Sequence, residues 1–211
     1  MAATQTTTIE TVSVFRPLKI ASLLCFAIAI ALGIVSIAST YWLTSGKCSF
    51  RTGLFLECTS DNEPTHATPL PMAPMPGHCH SPQRDSAYIK AVAGLMIAAV
   101  VLTAVAFILN VCGLSFSDSR KKFNSYRFAT WFAILAVLCE LIALIVFPAV
   151  FYSKMRDYGS RRDWEVDWSY GIAWGAIVLT FAGTLLLICD KDHEEIHYKE
   201  KTIYHPPPEL A

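Results

Sequence analysis

Charged side chains are absent from residues 20 to 46, 91 to 117 and 168 to 189, and from 128 to 153 the only one is Glu140. Long apolar runs fill these four gaps. A helix rising about 1.5 Å per residue needs about 20 residues to cross a hydrocarbon core roughly 30 Å thick, and each run meets that length. Lipid offers the backbone no hydrogen-bonding partner, so the runs predict helices that satisfy their own N–H and C=O groups. A barrel would need short alternating strands, which the runs do not show. The expected spans are 20–41, 88–114, 128–150 and 169–189. Aromatic residues gather where these spans should leave the bilayer: Tyr41 and Trp42, Tyr88, Tyr126 and Trp131, Phe151 and Tyr152, Trp168 and Tyr170.

The expected organisation is a cytosolic N-terminus (1–19), an extracellular loop (42–87) after the first span, a cytosolic loop (115–127), a second extracellular loop (151–168) and a cytosolic tail (190–211). The first run is longer than a signal-peptide apolar region and no small-residue cleavage site follows it, so it reads as an uncleaved signal anchor. An even number of spans puts both termini on one side, where Arg16, Lys19, Arg120, Lys121, Lys122 and Arg127 act as cytosolic anchors. The margin is one charge, because that side holds nine basic residues and the other eight. At 54% hydrophobic and 16% charged residues, with zero net charge, the chain is too apolar for one soluble core and carries no footprint for nucleic acid.

Cysteine placement is the better guide to sidedness. Of seven cysteines, Cys48, Cys58 and Cys79 all fall in the 42–87 loop, as expected of a small outer loop with little core of its own. Three cysteines allow one bridge, which leaves one thiol over or paired with another chain. Closing a loop of about 20 residues stabilises by roughly 3 kcal/mol in the chain-entropy model. Residues 41–43 and 49–59 carry the aromatic, β-branched and alternating pattern of a short antiparallel pair. Between residues 64 and 82 six prolines deny ladder donors and predict an irregular excursion.

Trp42, then Gly53-Leu54-Phe55, then Cys58 and Cys79, resembles the W…GLW…C…C signature of the claudin and peripheral myelin protein superfamily, and the four-span layout agrees over nearly the whole chain. The stretches 12–20 (VSVFRPLKI), 146–151 (VFPAVF) and 168–176 (WSYGIAWGA) resemble the brain cell membrane protein subfamily, also called transmembrane protein 47. Phe55 stands where the superfamily has tryptophan, Cys48 is an addition, and the Cys58 to Cys79 interval is longer than the usual one. The resemblance implies a Cys58–Cys79 disulfide, with Trp42, Leu54 and Phe55 anchoring an outer sheet onto an all-α four-helix bundle. It also implies cell–cell junctions, and the subfamily implies adherens junctions linked to cadherin and cortical actin.

Several residues invite a chemical reading. His193-Glu194-Glu195-Ile196-His197 matches the HExxH zinc-protease pattern, yet it lies in a tail without scaffold, third ligand or cleft and reads as a solvated charged segment. His78, Cys79 and His80, with Cys48, Cys58 and His66, are soft ligand types, but adjacent strand residues face apart and a disulfide consumes the thiols. Glu140 lies near mid-bilayer, where an ionised acid costs roughly 2.5–3.5 kcal/mol. A protonated Glu140 bonding across the bundle to Thr180, Thr103 or Ser36 is the expected solution. Gly171, Gly175 and Gly183 share one face and predict close helix packing. Cys112 and Cys189 stand near cytosolic span ends as palmitoylation candidates. No catalytic residue, metal or cofactor is expected.

The function expected from the sequence is therefore that of a claudin-like structural and adhesion protein of cell–cell junctions at the plasma membrane, not an enzyme. Its partners are the lipid bilayer, junctional membrane proteins of the cadherin complex, and cortical adaptors meeting loop 115–127 and the tail, with homo-oligomers allowed. The alternatives are a tight-junction claudin forming a paracellular barrier or channel through Arg51, Glu57 and Asp61, and an auxiliary subunit of an ion channel.

Overall fold

A computed structural model describes residues 17–45, 50–61, 73–83, 86–116, 119–157 and 164–203, with side chains described to residue 189 in the last segment. The expectations for Cys48, the centre of the proline-rich excursion, the 193–197 motif, the final residues and the first sixteen fall outside the described side chains. Among the described residues nine elements follow in chain order: α1 (Pro17–Ala38), β1 (Leu43–Ser45), β2 (Phe50–Thr52), β3 (Glu57–Thr59), β4 (Cys79–His80), α2 (Ser86–Ser115), α3 (Ser119–Asp157), β5 (Trp164–Val166) and α4 (Trp168–Ile203). The segments Leu18–Ala38, Ala87–Ser115, Arg120–Lys154 and Trp168–Cys189 are long and apolar enough to cross a membrane.

Helices α2, α3 and α4 run past the spans expected of them, whereas α1 ends at Ala38, short of the expected residue 41. Helix α3 has 39 residues, so it is about 58 Å long at 1.5 Å per residue, against roughly 30 Å of hydrocarbon. Its inner face is set by periodicity. Ala129, Ala133, Ala136 and Ala143 are all buried, and their spacing of four and three residues keeps them on one side of the helix. Small side chains there let neighbouring backbones approach, which substitutes in lipid for a hydrophobic driving force. Glu140 occupies the inward position between Ala136 and Ala143 in that same series. Helix α2 packs chiefly on α3, and α1 on α4.

At one end of the bundle the chain folds into a five-stranded sheet of order β4-β3-β2-β1-β5, antiparallel throughout. The row Leu43, Thr52, Glu57 and Val166 lies next to the helices, and Ser45, Phe50, Thr59 and Trp164 form a row further away. Two contacts fix this direction: the Trp42 N–H donates to the Thr52 carbonyl (3.1 Å), and the Asp167 N–H to the Trp42 carbonyl (3.1 Å), immediately before α4 begins. The second loop thus completes the sheet through β5. Beneath it lies the main core of the protein, built from Trp42, Leu43, Phe50 and Leu54 on the sheet side and Val92, Met96, Leu144, Phe147, Phe151 and Ile177 on the bundle.

Candidate functional site

Trp42 is the joint between sheet and bundle. Fully buried, its indole N–H donates to the Ser36 carbonyl at 2.8 Å. Ser36 and Ser169 bond reciprocally, each hydroxyl donating to the other residue's carbonyl at 3.0 and 3.2 Å. The Ser36 carbonyl, which the end of α1 leaves open, thus accepts from both the Trp42 indole and the Ser169 hydroxyl. The indole meets Phe147 edge-on at 4.9 Å and Tyr170 at 5.7 Å. A second aromatic chain runs up α3 to the sheet: Phe151 lies 5.1 Å from Trp164, which lies 5.9 Å from Phe50. Edge-to-face pairs of this kind add to the burial of the rings themselves.

Pro148 explains another part of this joint. Proline has no N–H, so the Leu144 carbonyl one turn earlier lacks its helical donor. The Tyr170 hydroxyl of α4 donates to it at 2.7 Å. The break in the α3 ladder is therefore closed from the neighbouring helix.

The other motif residues divide. Gly53 has no room for a side chain, since a Cβ there would lie 2.4 Å from the Ser39 carbonyl oxygen and 2.8 Å from the Thr40 Cα. This close approach sets the β2–β3 turn against the end of α1 and sends Leu54 into the core, 3% exposed. Phe55 departs from the expected anchoring role: at 46% exposed it points away from the bundle, as does Leu56. The reason is the tight turn, closed by the Gly53 N–H donating to the Leu56 carbonyl at 2.9 Å, which offers only one inward position. Cys58 and Cys79 are joined by a disulfide, which ties edge strand β4 to β3 at paired positions.

The sheet face opposite the core carries Glu165, Thr44, Arg51, Cys58 and Cys79 in register across the strands. Arg51 donates to the Tyr41 hydroxyl at 2.6 Å, and its guanidinium lies 4.9 Å from the Tyr41 ring, which in turn packs on Trp168. Glu57, expected among loop charges available to ions, is instead fully buried beside the Thr52 hydroxyl, 3.4 Å away. Its position in the row facing the core accounts for this. Among the described residues no group of three or more His, Cys, Asp or Glu side chains is placed to hold a metal ion.

Within the bundle, Glu140 is buried and bonds to Thr180, while its Oε2 has no hydrogen-bond partner. Ser36 is engaged with Ser169, while Thr103 and Thr180 donate to the Ala99 and Ala176 carbonyls of their own helices at 2.9 and 3.0 Å; of the three, Thr180 is the one that the fold brings to Glu140. Gly183 packs against α1, where a Cβ would meet the Phe26 ring at 2.8 Å; Gly175 has only the Leu32 methyl at 3.7 Å, and Gly171 faces open space. Cys112 is half-buried and Cys189 exposed.

One buried cluster at the far end of the bundle escapes sequence reading. Lys19 Nζ lies 4.0 Å from the Tyr126 ring centroid, Asn110 donates to Ser22 at 2.6 Å, and Gly113 leaves space for the Tyr126 ring. Lys19, expected to face the cytosol as a charge anchor, is 3% exposed. The Lys19 to Ser22 and Asn110 to Gly113 spacings place each pair on one helix face, the only signal that could have suggested it.

Four membrane-crossing helices carrying a disulfide-tied antiparallel sheet at one end define a multi-pass membrane protein. Residues 17–187 match the model of the PMP-22/EMP/MP20/Claudin family, and the chain belongs to that family. Over 121 residues it is 34% identical to a protein of Danio rerio named "p53 apoptosis effector related to PMP-22", a match covering 57% of this chain and 62% of that relative. The chain thus matches less than two thirds of the relative's length.

Proposed function

We propose that the protein is a structural and adhesion component of cell–cell junctions, working at adherens junctions beside the cadherin complex and the actin cortex. The observation that carries this reading is the union of sheet and bundle: Trp42, Phe147 and Phe151, all buried, form one aromatic assembly with the partly buried Tyr170 and Trp164. A fixed platform of this kind presents the Glu165, Thr44 and Arg51 row to neighbouring molecules. The disulfide at the sheet edge fits an oxidising outer compartment, which supports cytosolic termini. The likeness of residues 12–20, 146–151 and 168–176 to the transmembrane protein 47 subfamily supports the adherens over the tight junction.

Localising a tagged chain in polarised epithelium tests this. Overlap with cadherin is expected. Overlap with tight-junction markers instead, together with intramembrane strands and altered ion permeability in junction-free cells, would support the claudin alternative; co-purification with a channel would support an auxiliary-subunit role. A further reading comes from the Danio rerio relative, whose name describes a p53 apoptosis effector. Induced expression that kills cells without junctional recruitment would favour it.

A further inference from the structure

Phe55 is the motif residue that neither the joint nor the disulfide uses. It lies in the turn 53–56, and the structure fixes the level of that turn. Gly53 sits against the Ser39 carbonyl and Thr40 Cα, directly after α1 ends at Ala38, and α1 is a membrane-crossing segment. A turn closed between its first and fourth residues spans less than about 7 Å, so Phe55 and Leu56 stand within one turn's width of the end of this membrane-crossing segment. Both are exposed, and no charged residue falls between Arg51 and Glu57.

At the same level, Val166 ends β5 and Trp168 begins α4, each about half exposed. Tyr41 packs on Trp168. The helix-proximal end of the sheet thus carries a rim of exposed apolar side chains, interrupted by Asp167, whose carboxylate accepts from the Trp168 N–H at 2.7 Å, whereas the polar row Glu165, Thr44 and Arg51 lies away from the core. Aromatic and apolar side chains at the height of span ends partition into the headgroup region. We infer that Phe55 and Leu56 insert into the bilayer leaflet beneath the sheet, with Trp168 and Val166 beside them, so that the sheet rests on lipid as well as on the bundle. The occupant is the lipid surface because the turn is continuous with a span end. The inference goes beyond the junctional reading and does not depend on it.

Photocrosslinking of the full chain in phosphatidylcholine nanodiscs tests this, with benzoylphenylalanine placed at position 55 or at 75. Met75 is 75% exposed, and its carbonyl accepts from His78 in the turn joined to Thr59 at the far end of the sheet. Position 55 should give roughly tenfold more lipid adduct than 75, because a ring at headgroup height meets acyl chains and one in water does not. Hydroxyl-radical footprinting of the unsubstituted chain supplies the second readout: Phe55 and Leu56 should be protected in nanodiscs while Met75 oxidises freely. Oxidation of Phe55 and Leu56 as extensive as at Met75 overturns the inference. So does a covalent dimer as the main product from position 55, which would assign the rim to a second copy of the chain.

Discussion

Replacing Tyr170 with phenylalanine should destabilise the bundle out of proportion to the single oxygen removed. In an ordinary helix the Leu144 carbonyl would accept from residue 148, but proline there has no proton to give, and the Tyr170 hydroxyl at 2.7 Å supplies the bond. Leu144 is fully buried, so water is a poor substitute. Leaving a buried acceptor unmade costs about 1–3 kcal/mol, whereas interhelical bonds in a membrane average about 0.6 and reach about 1.7 kcal/mol because the competing state finds other partners. Here the usual partner is missing from the chain, which puts the expectation near the upper membrane value, about 1.5 kcal/mol. That is roughly a tenfold change in the unfolding constant, and a melting-temperature drop of about 3–6 °C for a chain of this size.

A double-mutant cycle in mild detergent separates this cause from general loosening. With Pro148→Ala, the restored N–H bonds Leu144 within α3, and Tyr170→Phe on that background should cost about 0.5 kcal/mol or less. Equal costs in the two backgrounds would refute the argument, because the hydroxyl would then be doing something other than closing the proline gap.

The other expectations concern close contacts and buried polar groups. Gly53→Ala should abolish folded, surface-delivered protein, because its Cβ would meet backbone atoms of Ser39 and Thr40 at 2.4 and 2.8 Å; normal delivery of the variant would contradict the seat described for the turn. Gly183→Leu should lower stability by about 1–3 kcal/mol through overpacking against Phe26, while Gly171→Leu, in open space, should stay within about 0.5 kcal/mol in the same thermal assay. Glu140→Gln keeps the shape and a bond to Thr180, so its stability should match the parent within about 0.5 kcal/mol. A large loss would show that a carboxyl is required. Cys58→Ser opens the bridge to Cys79, 21 residues on, and should cost about 3 kcal/mol by the loop-closure model, read as protease sensitivity of the sheet.

The membrane fold was open to sequence reasoning because lipid makes one demand that composition displays directly: no charge across about 20 residues. Gaps in charge therefore pointed to α1, α2, α3 and α4. Their true lengths were hidden, since the polar turns of α3 before residue 128 and after 150 are held by propensity and neighbours in water, where apolar runs carry no information. Strand β5 was hidden for a different reason. Trp164-Glu165-Val166 is three residues with a charge at its centre, and only the edge of β1 makes it a strand. The motif residues were legible as a set but not in their division of labour, because whether Phe55 faces inward depends on a contact between Gly53 and Ser39 that no local pattern encodes. Likewise Tyr170 and Pro148 are 22 positions apart in the sequence, and nothing short of the α3–α4 packing joins them.

The Trp42 indole sits where three lines of the structure cross: its N–H holds α1 through Ser36, its ring is wedged on α3 and α4, and its backbone carries both β2 and the approach to β5. A pull applied to the sheet by anything bound there meets, among the described residues, this packed ring first. Load passes through that side chain into three of the four helices at once, so the unit yields by surrendering an aromatic ring from its socket, as a rivet fails, and not by gradual bending.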